Sequence, residues 1–294
     1  MSNFICTPNT DSRTNPSVKP PKVRISGNTV VKHIEGQLLE AVTKYRAIHS
    51  ISLIAAFRAP RVIEVDKYSS CIILEKLDNL VSSRSPYIDY MRGKYRFPDI
   101  MAIVKGAAEA LANIHTNLQG PTNNEWVPTS YFTKRFVQFG VSSDSIRTAQ
   151  RVQLHCDYGF SNVCVLGPDC ETIAIIDPCA DGYTVHTDWC VGPYFMDVGK
   201  FLLSLEGLLP PSQQLYIRND IVAKLQFTFV NAYAVHCNYK VDIGECLAAS
   251  YAIGGQYFRS AYPKSYPVAL SVLFNNIRDN RRINEKMKRI QRIV

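Results

Sequence analysis

The residues with the clearest chemical potential form one run, His155-Cys156-Asp157-Tyr158-Gly159-Phe160-Ser161-Asn162, followed after a hairpin by Ile176-Asp177. A carboxylate at the mouth of a tight loop, here Asp157, can accept a hydrogen bond from a substrate hydroxyl and aim it. Asn162, five residues on, and Asp177, beyond the hairpin, offer hard oxygen ligands of the kind Mg²⁺ takes. Two such donors on adjacent backbones suit a Mg²⁺ that draws its other ligands from phosphates. The chemistry this implies is phosphoryl transfer to a hydroxyl.

The His-x-Asp-x4-Asn spacing is that of a kinase catalytic loop, with Cys156 in place of the usual arginine. At these residues the chain resembles the aminoglycoside phosphotransferase and choline kinase family, small-molecule kinases with a protein-kinase-like fold, from about residue 22 to about residue 205. That family's His-Gly-Asp with a following Asn, and its Ile-Asp dipeptide, are matched by His155, Asp157, Asn162 and Ile176-Asp177. Its helix ending in Leu-His resembles Ala110 to His115, and its Pro plus Asp-Leu element resembles Gly192 to Val198.

The resemblance implies ATP and Mg²⁺ as cofactors, Asp157 and His155 as catalytic residues, and Asn162 and Asp177 as metal ligands. His155 reads better as a loop-organising hydrogen-bond donor than as a proton carrier, and Asp197 as a support of the catalytic loop. The resemblance further implies a Lys32–Glu40 ion pair on the ATP phosphates, and Glu75-Lys76-Leu77 as a hinge bonding adenine through its backbone. Each has a plainer reading: Asp157 a surface residue, Asn162 a turn former, Asp177 a strand-end cap, Lys32 and Glu40 a solvated pair. The first strands depart from the family, because Gly27 is the only glycine before Lys32 and the lid over the phosphates must be short.

Elements that would position these residues follow from pattern. Lys22 to Ile34 predicts two strands around the Ser26-Gly27-Asn28 turn. A helix follows in which Leu38, Leu39, Val42, Tyr45, Arg46 and Ile48 or His49 recur at helical spacing, with Glu40 and Lys44 as a favourable i,i+4 pair. Arg61 to Val65 and Cys71 to Glu75 read as a hairpin, and Leu77 to Ser85 as a linker. Ile100 to Ile114 keeps one apolar face behind the start signal Pro98-Asp99, and a second helix is expected over 130–139. Asn162 to Leu166 pairs with Thr172 to Ile176 across a turn, and helices are expected from Met196 onward. Tyr251, Tyr257, Phe258 and Tyr262 read as helix core rather than pocket lining.

The expectation is therefore α+β: a flexible arm over 1–21, an antiparallel-sheet lobe with one main helix over 22–80, and a larger, mostly helical lobe over 81–294. Of 294 residues, 46% are hydrophobic and 20% charged, which excludes global disorder. No apolar run reaches a membrane span and no signal peptide is evident, so a cytoplasmic protein without membrane insertion is expected. The formal charge of +8 is concentrated in 278–294, expected to be a basic helix open to an anionic partner, and no nucleic-acid module is present. Nine cysteines lack zinc-site spacing and read as free thiols. Between Glu206 and the tail the charge is only slightly positive, which favours a neutral or anionic hydroxyl-bearing acceptor over a polycationic aminoglycoside. Two alternatives stay open: a slow or silent kinase-like binding module, and a Ser/Thr protein kinase.

Overall fold

The computed structural model describes residues 23–91, 94, 96–167, 172–182, 184–207 and 219–261. The arm expected over 1–21 and the basic helix expected over 278–294 lie outside these residues.

The N-terminal strands β1 (Val23–Ser26) and β2 (Thr29–His33) form the expected hairpin, with Gly27 at φ +58° in the turn. They continue through β5 (Cys71–Glu75) to β4 (Val62–Asp66) in a four-stranded antiparallel sheet of order β1-β2-β5-β4. Helix α1 (Leu38–Ser52) packs on this sheet, and Ile34, Ala41, Val42, Tyr45, Ile72 and Leu74 form a small core between them. The buried face of α1 includes Val42, Tyr45 and Ile48 of the expected series but differs from it in part. Leu39 is 73% exposed and Arg46 faces solvent, whereas Lys44 is wholly buried beside Ala41, Ile48 and Ile51.

The expected linker over 77–85 carries structure. Its strand β6 (Leu80–Ser82) pairs with β8 (Val163–Leu166), which pairs with β9 (Thr172–Ile175), and β3 (Phe57–Arg58) runs parallel to β9. Two short segments from the N-terminal third therefore flank the hairpin that carries Asn162 and Asp177 at its ends. Strands β7 (Arg151–Gln153) and β10 (Val191–Pro193) form a separate pair.

The rest is mostly helical: α2 (Arg84–Met91), α3 (Phe97–Asn117), α4 (Ser130–Gln138), α5 (Ser143–Thr148), α6 (Phe195–Gly207), α7 (Asn219–Val235) and α8 (Ile243–Ala261). The apolar face of α3 is buried as its spacing predicts, and at its start the Asp99 carboxylate accepts from the Arg96 N–H (3.2 Å) and from the Arg96 guanidinium. Helix α6 lies close against α8 because Gly199 has no side chain; a Cβ there would sit 2.8 Å from the Ser250 nitrogen. Tyr251 is buried with its hydroxyl donating to Glu206 (2.9 Å), as a core residue should be; the side chains of Tyr257, Phe258 and Tyr262 lie outside the described part. The seven described cysteines are free thiols. Among the described residues no helix is long and apolar enough to cross a membrane.

Candidate active site

The loop between β7 and β8 presents Asp157 through an unusual backbone. Cys156 has φ +84°, a left-handed conformation that is costly for a residue with a Cβ. The surroundings fix it at every polar atom. Its N–H donates to Asp197 Oδ1 (3.0 Å), its carbonyl accepts from Thr184 Oγ1 (3.1 Å), and its sulfur accepts from Lys44 Nζ (3.1 Å). Asp197, at the start of α6, also accepts from the His155 N–H and from His115 Nε2 (3.0 Å), and the other nitrogen of His115 meets the Tyr233 hydroxyl at 2.6 Å. Burial opposes the charge on Asp197, but this set of donors holds its carboxyl below the usual range. Asp197 thus ties the backbone before Asp157 to the end of α3 and the start of α6.

His155 serves the loop through its backbone and not through its ring. Its ring is fully buried, packs edge-on against Tyr158, and has no hydrogen-bond partner at either nitrogen among the described residues. Burial pushes its pKa down to about 4, so the ring is neutral near pH 7 and does not reach the cleft. The residue organises the loop through its backbone: the N–H is held by Asp197 and the carbonyl by Lys44 (3.1 Å). The catalytic assignment of His155 is corrected to a structural one for this reason.

Asp157 is half-buried and each of its oxygens has a fixed donor. Asn162 Nδ2 donates to Oδ2 (2.8 Å) and to the Asp157 carbonyl (2.9 Å), while Lys200 Nζ lies 3.2 Å from Oδ1. Burial raises the Asp157 carboxyl pKa, and Lys200 offsets only part of that. With its nitrogen committed to Asp157, Asn162 has its Oδ1 left to act as a ligand. Asn162 is tied to Asp177 through the chain as well, because the Ile176 N–H donates to the Asn162 carbonyl (3.0 Å).

Asp177 follows β9 at φ +54°, a conformation Asp tolerates better than most residues. Lys32 Nζ is paired with its Oδ1 and lies 3.3 Å from the Tyr45 hydroxyl, which is itself 3.3 Å from the same carboxylate oxygen. Burial opposes ionisation of both partners, yet their attraction holds Asp177 below and Lys32 above its ordinary range. The expected Lys32–Glu40 ion pair is therefore corrected. Glu40 lies on the first turn of α1 at the cleft rim, and Tyr45 is the α1 residue that reaches the Lys32 ammonium. Lys44, its neighbour in sequence, crosses to the loop before Asp157, where its ammonium also meets the Asp188 carbonyl and faces the Trp189 ring.

Two adjoining cavities share Val23, Lys32 and Asp177. One, of about 410 Å³, is largely apolar and is lined by Val23, Ile25, Val30, Leu74, Leu77 and Ile176. The other, of about 540 Å³, holds Asp157 and Asp177 between the β2–α1 loop and residues 179–188. Glu75, Lys76 and Leu77 border the first cavity. The N–H groups of Glu75 and Lys76 already donate to the Arg61 and Asn28 carbonyls (2.8 and 3.1 Å), so a base held by this segment would use its other backbone groups. The donor set of Asn162 Oδ1 and the Asp177 carboxylate fits Mg²⁺ shared with phosphates. Among the described residues no cluster of His, Cys, Asp or Glu side chains forms a protein-only metal site.

The sequence matches no protein-family model and no curated protein. Comparison with solved structures finds a glucosamine kinase at a TM-score of 0.58 and 12% identity, covering 88% of this chain and 75% of that one. A glucosamine kinase in complex with glucosamine, ADP and inorganic phosphate matches at a TM-score of 0.54 and 12% identity, covering 90% of this chain and 80% of that one. The chain thus has the bilobal α+β, protein-kinase-like fold of small-molecule kinases.

Proposed function

We propose that the protein is an ATP- and Mg²⁺-dependent phosphotransferase that moves the γ-phosphoryl group to a hydroxyl of a small molecule. One observation carries the reading: Asp157 and Asp177 face a single cavity, with Asn162 bonded to the first and Lys32 to the second. Residues 22–80 serve as the nucleotide-binding lobe and 81–294 as the catalytic lobe. The apolar cavity takes the base and the adjoining one the phosphates, in keeping with the ADP held by the glucosamine kinase neighbour.

Bound Mg²⁺ would neutralise the phosphate oxygens, with Asn162 and Asp177 as its protein ligands. Lys32 would leave Asp177 for the phosphates when the nucleotide enters. Asp157 accepts a hydrogen bond from the acceptor hydroxyl, aligns that oxygen with the γ-phosphorus, and takes the proton as the O–P bond forms and the bond to ADP breaks. Lys44, Thr184 and Asp197 keep the Cys156 backbone in the conformation that aims Asp157. Catalysis here is positioning and charge stabilisation.

For the acceptor, the weak positive charge between residue 206 and the tail argues against a polycation. The cavity also carries Glu35, Glu40 and Asp188 besides Asp157 and Asp177, which disfavours an anionic acceptor that, unlike the nucleotide, brings no Mg²⁺ with it. A neutral sugar or polyol fits both facts. The carboxylate excess also supports a second reading, an acceptor bearing a single amine. The phosphotransferase reading predicts a thermal shift with Mg·ATP and transfer of labelled phosphate to some member of a panel of neutral, amino and acidic sugars, lost by about 1,000-fold in Asp157→Asn. Nucleotide binding without transfer to any acceptor would establish the silent module, and transfer to protein in a lysate the protein kinase. An undiminished rate in Asp157→Asn would sink the assignment of that residue.

A further inference from the structure

Lys200 projects from α6 to the back of the catalytic loop, in a place no sequence motif marks. Its side chain is 13% exposed and that of Asp181 7%, and its ammonium is paired with Asp181 on one side and lies 3.2 Å from Asp157 Oδ1 on the other. A buried ion pair is weak evidence for stability, since apolar residues of similar size do as well, so its location is the more telling fact. Asp181 is itself fixed: it accepts from the Thr184 N–H (2.7 Å), and the Thr184 hydroxyl lies between Asp181 and the Cys156 carbonyl. The contacts close a ring through Asp157, Lys200, Asp181, Thr184 and Cys156, completed by the covalent bond from Cys156 to Asp157. The ring joins the segment after Asp177 to the loop before Asp157.

Two donors, Lys200 on Oδ1 and Asn162 on Oδ2, set the plane of the Asp157 carboxylate. If Lys200 were absent, that plane could turn about the Asn162 bond. Lys200 stands on α6, which is seated tightly on α8 at Gly199 and which also carries Asp197. A rigid element thus aims the carboxylate twice, once through the backbone before it and once through the side chain itself.

We propose that Lys200 is a positioning residue for phosphoryl transfer, holding Asp157 in the orientation that receives the acceptor hydroxyl, and that Asp181 holds Lys200 in turn. The proposal rests on the phosphotransferase reading. Its test uses the full-length protein as wild type, Lys200→Met, Lys200→Arg and the double variant Lys200→Met/Asp181→Asn, which leaves no stranded carboxylate to unfold the chain. The turnover number and the KM for ATP are measured with an acceptor the wild type uses, and Mg·ADP affinity by calorimetry. Loss of aim predicts a kcat about 100-fold lower in Lys200→Met, with Mg·ADP affinity within about twofold of wild type. Lys200→Arg, which keeps the charge and a donor, recovers to within about tenfold of wild type, while the double variant stays slow. A kcat within about threefold of wild type in Lys200→Met, or recovery in the double variant, overturns the proposal. A wild type that neither binds Mg·ADP nor transfers phosphate overturns the phosphotransferase reading together with it, which is distinct from a working enzyme indifferent to Lys200.

Discussion

Two lysine–carboxylate pairs face each other across the site, and they are built differently. Lys32 and Asp177 come from different lobes, the lysine from strand β2 and the carboxylate from the end of β9, and Asp177 is 38% exposed. Lys200 and Asp157 come from the same lobe, and a second buried carboxylate, Asp181, backs the lysine. In the proposed reaction the first pair would open when a metal-bound nucleotide claims both partners. The second has no such demand and is enclosed in a hydrogen-bonded ring. The donor side of the proposed reaction is therefore exchangeable and the acceptor side fixed.

The largest effect that tests this division is on nucleotide affinity. Lys32→Met removes a charge-assisted contact with the phosphates and should weaken Mg·ADP by about 10- to 100-fold, whereas Lys200→Met should leave it nearly unchanged. Calorimetric titration of both variants decides the matter. Equal weakening by the two would show that the pairs act as one network and that the distinction is wrong.

How far the sequence announced this arrangement depends on how local each feature is. The nearness of Asp157, Asn162 and Asp177 was legible because a loop and a hairpin fix their spacing, and α3 because its apolar face repeats without interruption. Glu40 was misread because the side of α1 that meets β2 depends on how the helix is rotated in its packing. Glu40 and Tyr45 lie about 140° apart around the axis, and the packing turned Tyr45 inward. Lys44 left a usable signal: it sits at i+3 from Ala41 and i−4 from Ile48, on the buried face, which a solvated lysine would avoid. Lys200 left little, since its partners are 43 and 19 residues away in sequence and meet it only through the fold. Strand β3 was invisible for a like reason, being two residues long and defined by a partner over a hundred residues distant.

The pairs also differ in how they couple ionisation to stability. In Asp177, burial opposes the charge but Lys32 outweighs it, so the folded carboxyl titrates below its ordinary value of 3.8. Ionised Asp177 therefore contributes stability that is complete above that value and lost as the pH falls through the folded one. Asp157 has the opposite sign, because burial raises its carboxyl despite Lys200. Its ionisation costs stability, fully above the folded value and not at all below the unfolded one. Asp157→Asn should raise the Tm near pH 7 by about 2 °C and Asp177→Asn lower it by a similar amount, both small because the groups are partly solvated. On acidification the Asp157 gain should vanish before the Asp177 loss does. A melting series from pH 7 to about 3 checks the order, and matching signs at pH 7 would refute it.

The smallest expected effect concerns the residue that makes the acceptor side rigid. Cys156 holds a left-handed backbone at a cost of about 1–2 kcal/mol, while its thiol fills a buried site and accepts a bond from Lys44. Cys156→Gly removes the thiol and the strain together, so the two changes should nearly cancel, leaving stability within about 1 kcal/mol of wild type. Cys156→Ala removes the thiol and keeps the strain, so it should be the more damaging of the two, the reverse of the usual ranking of alanine over glycine. Urea unfolding of both variants reads the order directly. If alanine proved the milder change, the bonds from Asp197, Thr184 and Lys44 would not be holding Cys156 against a backbone preference, and the aim of Asp157 would rest on the Lys200 ring alone.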